Sequence, residues 1–237
     1  MQHLLVAQHL RRTYQAGTTT VDAVADVSLH LATGEFVAIV GPSGCGKSTL
    51  LHLCGGMDRP SSGRLELEGV DLGGLDEEAL TRVRRTRIGF VFQSFNLLPT
   101  LTLAENVALP LLLAGGSERR SLDEARTLAE RVGLGGRLAH YPSELSGGEQ
   151  QRGAIARALA HQPALVIADE PTGNLDSETG GRVLDLLRSL NRELGVTLLL
   201  ATHAADVAAA ADRVIALRDG RIERESAQKP REGHGAL

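Results

Sequence analysis

Residues 41 to 49 read Gly41-Pro42-Ser43-Gly44-Cys45-Gly46-Lys47-Ser48-Thr49, a glycine-rich loop closing on a lysine and two hydroxyls. The spacing G-x-x-x-x-G-K-[ST] suits a polyphosphate. Glycines let successive backbone N–H groups turn inward around phosphate oxygens. A helix starting near Lys47 aims its positive dipole end at the same charge. Lys47 supplies a point charge for the β- and γ-phosphates, and Ser48 a hydroxyl for Mg²⁺. Far downstream, the apolar run Leu165-Val166-Ile167-Ala168 ends in Asp169 and Glu170. A carboxylate at the carboxyl edge of a buried strand can hold Mg²⁺ as a hard oxygen ligand, usually through water. Glu170, one residue on, is placed to orient or deprotonate an attacking water. The two segments together describe the hydrolysis of a nucleoside triphosphate.

A third segment, Leu145-Ser146-Gly147-Gly148-Glu149, precedes a helical run through Ala154, Ile155, Ala156, Ala158 and Leu159. Ser146 is the predicted N-cap, with bare backbone amides behind it. It makes a second phosphate-binding helix terminus in a chain that already has one.

These residues need a scaffold that brings distant segments together. The apolar runs Phe36–Val40, Ile88–Phe92, Leu165–Ala168, Val196–Ala201 and Val214–Leu217 alternate with helical patterns, as expected of strands buried on both faces. The predicted fold class is α/β: a P-loop NTPase core with a mainly parallel sheet. Val21–Leu31 and Arg64–Glu68 read as half-buried antiparallel strands of an N-terminal β subdomain. Residues 102–133 read as mostly helical, with Pro110 predicted to kink or end the first helix. We expect one domain over residues 1–225, a helical subdomain inserted at about 95–160, and a disordered tail over 226–237.

Composition narrows the function further. With 25 basic and 29 acidic side chains, a net charge of −4, 3% aromatic residues and no Trp, neither electrostatics nor base stacking points to nucleic acid. Cys45 and Cys54 are the only cysteines, which fits a reducing compartment. No apolar stretch approaches the ~20 residues of a membrane span, and residues 1–10 lack a leader pattern. The expectation is a soluble cytoplasmic chain.

With Leu145-Ser146-Gly147-Gly148 in view, the sequence resembles the ABC transporter ATPases, from about residue 3 to 225 and with the motifs in the family's order. The resemblance implies that Tyr14 stacks on adenine and that Gln93 reaches Mg²⁺ and the attacking water. It also implies that Asn174-Leu175-Asp176 is the D-loop and that His203 is the switch histidine contacting the γ-phosphate. It further implies a head-to-tail homodimer in which Ser146, Gly147, Gly148, Glu149 and Asp176 act on the ATP bound by the other subunit's phosphate loop. Two positions depart from the family pattern: Glu149, where many members have Gln, and Ala204, where an Asp is usual.

Segments 89–111 and 170–176 look like the ATPases of lipoprotein release, macrolide-type efflux and bacterial cell division. Those work with an integral membrane subunit that has few transmembrane helices and a large extracytoplasmic domain. The chain is then expected on the cytoplasmic face of the inner membrane, with ATP and Mg²⁺ as cofactors. Phe95, Leu97, Leu98 and Leu101 are either core or the groove for the partner's coupling helix. Arg82, Arg84, Arg85 and Arg87 are either a solvated helix face or a contact for anionic headgroups. A slow-turnover, nucleotide-switched scaffold stands as the alternative. A DNA-repair ATPase fits poorly, because only 98 residues without heptads separate Lys47 from Ser146. A small GTPase lacks its Asn-Lys-x-Asp.

Overall fold

The computed structural model describes residues 3–203 and 205–227. The elements run β1 (His3–Ala16), β2 (Thr19–Ala32), β3 (Phe36–Val40), α1 (Lys47–Cys54), β4 (Ser62–Leu67), β5 (Val70–Asp71), α2 (Glu77–Arg87) and β6 (Ile88–Phe92). Then come α3 (Leu103–Leu113), α4 (Glu118–Arg131), α5 (Gly147–Leu159), β7 (Leu165–Asp169), α6 (Ser177–Leu194), β8 (Thr197–Thr202), α7 (Ala205–Ala208), β9 (Arg213–Arg218) and β10 (Arg221–Ala227).

The ten strands hydrogen-bond in the order β5-β4-β1-β2-β10-β9-β3-β8-β7-β6. Strands β9, β3, β8, β7 and β6 are parallel, while β2, β1, β4 and β5 are antiparallel. The blocks meet through β10, which pairs antiparallel with β9 along its length but touches β2 at one residue pair, Arg221 with Asp26. A second clip joins them at the β9–β10 turn. Ala25 N donates to Gly220 O at 2.8 Å, and Gly220 N donates to Cys45 O at 3.0 Å.

The parallel strands read as continuous apolar runs because each divides its side chains between two cores. Phe36, Ala38, Val166, Ala168, Leu198 and Leu200 face one, closed by Val107, Ala125, Ile155, Val183 and Leu187 of the helices α3 to α6. Val37, Ile39, Leu165, Ile167, Leu199 and Ala201 face the other, closed by Leu50, Leu51 and Leu53 of α1, Leu80 of α2 and the antiparallel strands. Each fully buried Leu or Ile contributes about 1.5–3 kcal/mol, so strand ends in this layer are held firmly. Both cysteines are buried, and burial pushes the Cys54 thiol up to about 12.

Three details differ from the sequence reading. Strands β1 and β10 were not expected: β1 follows no period of two and is broken by register shifts, and β10 is largely exposed, with Ile222 and Ala227 its only apolar residues. Of the two outcomes read for Pro110, a kink or an end, the end does not occur, since α3 continues to Leu113. Its amino-terminal half is pinned by the Thr102–Glu105 capping box and by Asn106, which bonds Leu98 through both its amide atoms. Ser226 and Ala227 belong to β10, paired with Val214 and Arg213, rather than to a tail. The rest of the expected tail, 228–237, and Ala204 lie outside the described residues. Among the described residues no helix is long and apolar enough to cross a membrane.

Candidate active site

Strands β3, β8, β7 and β6 finish side by side. Val40 is level with Thr202, Ala201 with Asp169, and Asp169 with Phe92. The loops that continue them therefore carry residues 41–46, His203, Glu170 and Gln93 to one edge of the sheet. This is the carboxyl edge, where ligands of open α/β sheets bind.

Lys47 opens α1 and is only 6% exposed. Its Nζ donates to Gly41 O at 2.9 Å and Pro42 O at 3.0 Å, so the ammonium lies inside the curl of its own loop. The curl depends on absent side chains. Gly46 has φ 102°, and a Cβ there would lie 2.1 Å from Ala23 O; one on Gly41 would lie 2.2 Å from Leu217 O. Pro42, Ser43, Gly44 and Ser48 are exposed, Thr49 is half-buried, and Cys45 tucks under the loop into the core.

Glu170 adopts φ 45°, a left-handed conformation costing a non-glycine residue about 1–3 kcal/mol and found often at functional sites. Its amide donates to Ala201 O at 3.0 Å, and its carboxylate lies 3.1 Å from His203 Nδ1. Asp169 Oδ1 is buried and has no hydrogen-bond partner. A buried carboxylate oxygen left alone is costly, and a cation relieves it. With the exposed hydroxyl of Ser48 at the head of α1, the available donors are hard oxygens, a set that fits Mg²⁺. Gln93 is engaged by Asn174: Gln93 Nε2 donates to Asn174 Oδ1 at 3.2 Å, and Asn174 Nδ2 donates to Gln93 O at 3.1 Å.

The other predicted residues form two further groups. Ser146 caps α5 in a reciprocal capping box with Glu149, whose carboxyl is held down at about 2 by the Ser146 amide and hydroxyl and by Arg137, 2.9 Å away. Asp176 caps α6 through the Thr179 amide, which lowers its carboxyl pKa. Ser146, Gly147, Gly148, Glu149 and Asp176 line one cleft of about 430 Å³ that contains no residue of the phosphate loop. Tyr14, 37% exposed, is fixed by Asp58, which accepts its hydroxyl at 2.6 Å. The Arg12 guanidinium covers one ring face at 4.5 Å from the centroid.

Arg137, Arg12 and Asp58 were given no role from sequence, and Asn174 none beyond membership of the D-loop segment. Asn174 lies inside a recognised motif, but nothing in the sequence pairs it with Gln93 across 81 positions. The apolar groove beside this edge, about 710 Å³, is lined by Phe90, Phe92, Leu109, Pro110 and Leu113. Phe95, Leu97, Leu98 and Leu101 are not among its lining residues. Left-handed turns at Phe95 and Asn96, whose carbonyls accept from Arg157, draw that loop over α5 instead. Three of the four basic residues of α2 are paired: Arg82 with Glu78, Arg84 with Glu77 and Arg87 with Glu68.

A parallel sheet whose first loop curls round a helix-opening lysine is the architecture of the P-loop NTPases. The profile described as ABC transporter matches residues 24–173. The lipoprotein-releasing system ATP-binding protein LolD of Legionella pneumophila is 47% identical over 92% of this chain and 96% of its own. The macrolide export ATP-binding/permease protein MacB of Rhodopirellula baltica is 47% identical over 93% of this chain but 32% of its own. A dimeric post-hydrolysis state of the ATP-binding cassette MJ0796 bound to ADP and Pi superposes with a TM-score of 0.88, at 42% identity over 95% of this chain and 99% of that one. The chain belongs to the ABC transporter family, as an ATP-binding and ATP-hydrolysing subunit for ATP-driven transport.

Proposed function

We propose that the carboxyl edge and the α5–α6 cleft are two halves of one ATP site, completed between two copies of this chain. The observation that carries this is their separation: the cleft bearing Ser146, Gly147, Gly148, Glu149 and Asp176 contains no phosphate-loop residue. A second, head-to-tail copy would bring those helix termini to the γ-phosphate. Residues 41–49 cradle the phosphates in cis, Tyr14 offers its uncovered ring face to adenine, and Lys47 leaves its loop carbonyls for phosphate oxygens. Ser48, Asp169 and Gln93 hold Mg²⁺, which when bound neutralises charge on the β- and γ-phosphates. Glu170 takes a proton from the attacking water, and His203, 3.1 Å away, orients it and contacts the γ-phosphate.

Closure of the dimer then drives an integral membrane subunit with few transmembrane helices and a large extracytoplasmic domain, for export, lipoprotein extraction or mechanical transmission. The relatives named for lipoprotein release and macrolide export support this branch. The groove at Phe90, Phe92, Leu109 and Leu113 suits an amphipathic helix of that subunit. With Arg84 already paired to Glu77, which also lines the groove, Arg85 and Arg157 on its rim favour an acidic residue on the incoming helix. The chain works at the cytoplasmic face of the membrane. Affinity purification of the tagged chain from native membranes, with and without Glu170→Gln, tests this. A polytopic partner enriched in the ATP-trapped variant is expected; recovery of soluble proteins alone overturns the transport assignment.

A further inference from the structure

Gln93 carries a carboxamide, whose two ends are opposite in character: only the oxygen can bind a cation, and the NH₂ group repels one. A glutamine that ligates metal must therefore be held the right way round. We propose that Asn174 is the positioning residue that sets the orientation of the Gln93 amide, through a hydrogen-bond relay whose polarity has no freedom.

The relay begins at a main-chain carbonyl. Gln93 O can only accept, so the Asn174 group 3.1 Å from it must be the amino end, Nδ2. That places Asn174 Oδ1 at the other end of the same amide. An oxygen can only accept from its partner, so the Gln93 atom 3.2 Å away must be Nε2. With Nε2 engaged, Oε1 is the amide atom left for a cation. The chain of reasoning starts from an atom that cannot be flipped, and so fixes both side-chain amides. Both residues are exposed, so without the relay water would solvate either orientation of Gln93.

Gly173 supplies the floor. A Cβ built on it would approach Gln93 Nε2 to 2.7 Å, Cδ to 3.1 Å and Cγ to 3.3 Å, so the Gln93 side chain lies directly against the glycine backbone. The Gly173 amide donates to Glu170 O at 3.0 Å, which ties this floor to the residue that activates water. One turn thus carries Glu170 at its start and the Gln93 clamp three and four residues later.

This inference rests on the reading of Gln93 as a ligand of Mg²⁺, and the test separates the two. The full-length chain is assayed for ATPase activity against Mg²⁺ concentration, and for ATP binding in EDTA. Asn174→Ala frees the amide to flip, and Gly173→Ala displaces it without removing a polar group. Each is expected to raise the Mg²⁺ concentration for half-maximal activity by about three- to tenfold, the worth of about one hydrogen bond, with ATP affinity in EDTA unchanged. In a Gln93→Ala background, adding Asn174→Ala is expected to change nothing further. An unaltered Mg²⁺ requirement in both single variants, or a full additional effect of Asn174→Ala without Gln93, overturns the relay. If Gln93→Ala itself leaves the Mg²⁺ requirement unaltered, the metal role of Gln93 fails and the relay falls with it.

Discussion

The two surfaces proposed to bear on the phosphates are built in opposite ways. At the carboxyl edge, four loops spring from adjacent strands buried on both faces, and Lys47 is itself buried. Position there is inherited from the cores. In the α5–α6 cleft, no strand contributes: Ser146 and Asp176 are exposed and sit at helix ends, held by capping bonds to residues three positions along the chain. Position here is local. The first surface is rigid and hard to rebuild; the second is a set of short, replaceable contacts suited to docking and leaving.

The largest effect should come from chemistry at the rigid edge. Glu170→Gln keeps the shape and the His203 contact but removes the base, so ATPase activity should fall by about 10²–10⁴-fold while ATP-dependent dimers persist on a sizing column. A variant that turns over at the normal rate would remove Glu170 from the mechanism. Lys47→Ala should weaken ATP binding by about 10- to 100-fold, the worth of a hydrogen bond to a charged group, and abolish ATP-dependent dimerisation. Unchanged affinity by equilibrium binding would break the contrast, since the rigid edge would then not be the primary site.

Smaller and different in kind is the response of the helix-cap surface. Ser146→Ala removes the side-chain cap of α5 and should cost about 1 kcal/mol in thermal or chemical unfolding. The same surface should also carry an acid signature. The Glu149 carboxyl titrates at about 2 when folded, against an ordinary value near 4.5. A depressed carboxylate contributes stability that is complete above the ordinary value and lost as pH falls toward the folded one. Stability should therefore decline between about pH 4.5 and 2, and Glu149→Gln, which keeps a capping box, should lose that part of the decline. An identical acid profile for the two proteins would show that the Arg137–Glu149 pair and its cap add nothing.

The same contrast explains what was legible in the sequence. The five central strands were readable because burial on both faces leaves continuous apolar runs, as in Leu165–Ala168. Strand β1 was not, because Arg11 and Arg12 follow directly on buried Leu10 and its register shifts break the period of two. Pro110 does not end its helix for a related reason: its local cost is outweighed by buried Leu103, Val107 and Ala108 and by the Asn106 bonds, none of which a local rule can weigh. The phosphate loop and the Asp169–Glu170 pair were legible as candidates because phosphate and metal chemistry prescribes their types, whereas Tyr14, Gln93, Asp176 and His203 became candidates through the family resemblance. Their supporters, Asn174 for Gln93 and Arg137 for Glu149, are set by through-space distances that no spacing rule encodes.

The clip at Gly220 has a consequence for size selection. Tyr14 belongs to the antiparallel block and Lys47 to the parallel block, and the blocks share one ladder pair, Arg221 with Asp26. Gly220 bonds both sides of that seam, taking the Ala25 amide and giving its own to Cys45 inside the phosphate loop. The hairpin therefore ties the block that carries the ring to the loop that ends at the ammonium. A molecule held by both, as proposed for ATP, must have the length that this tie allows.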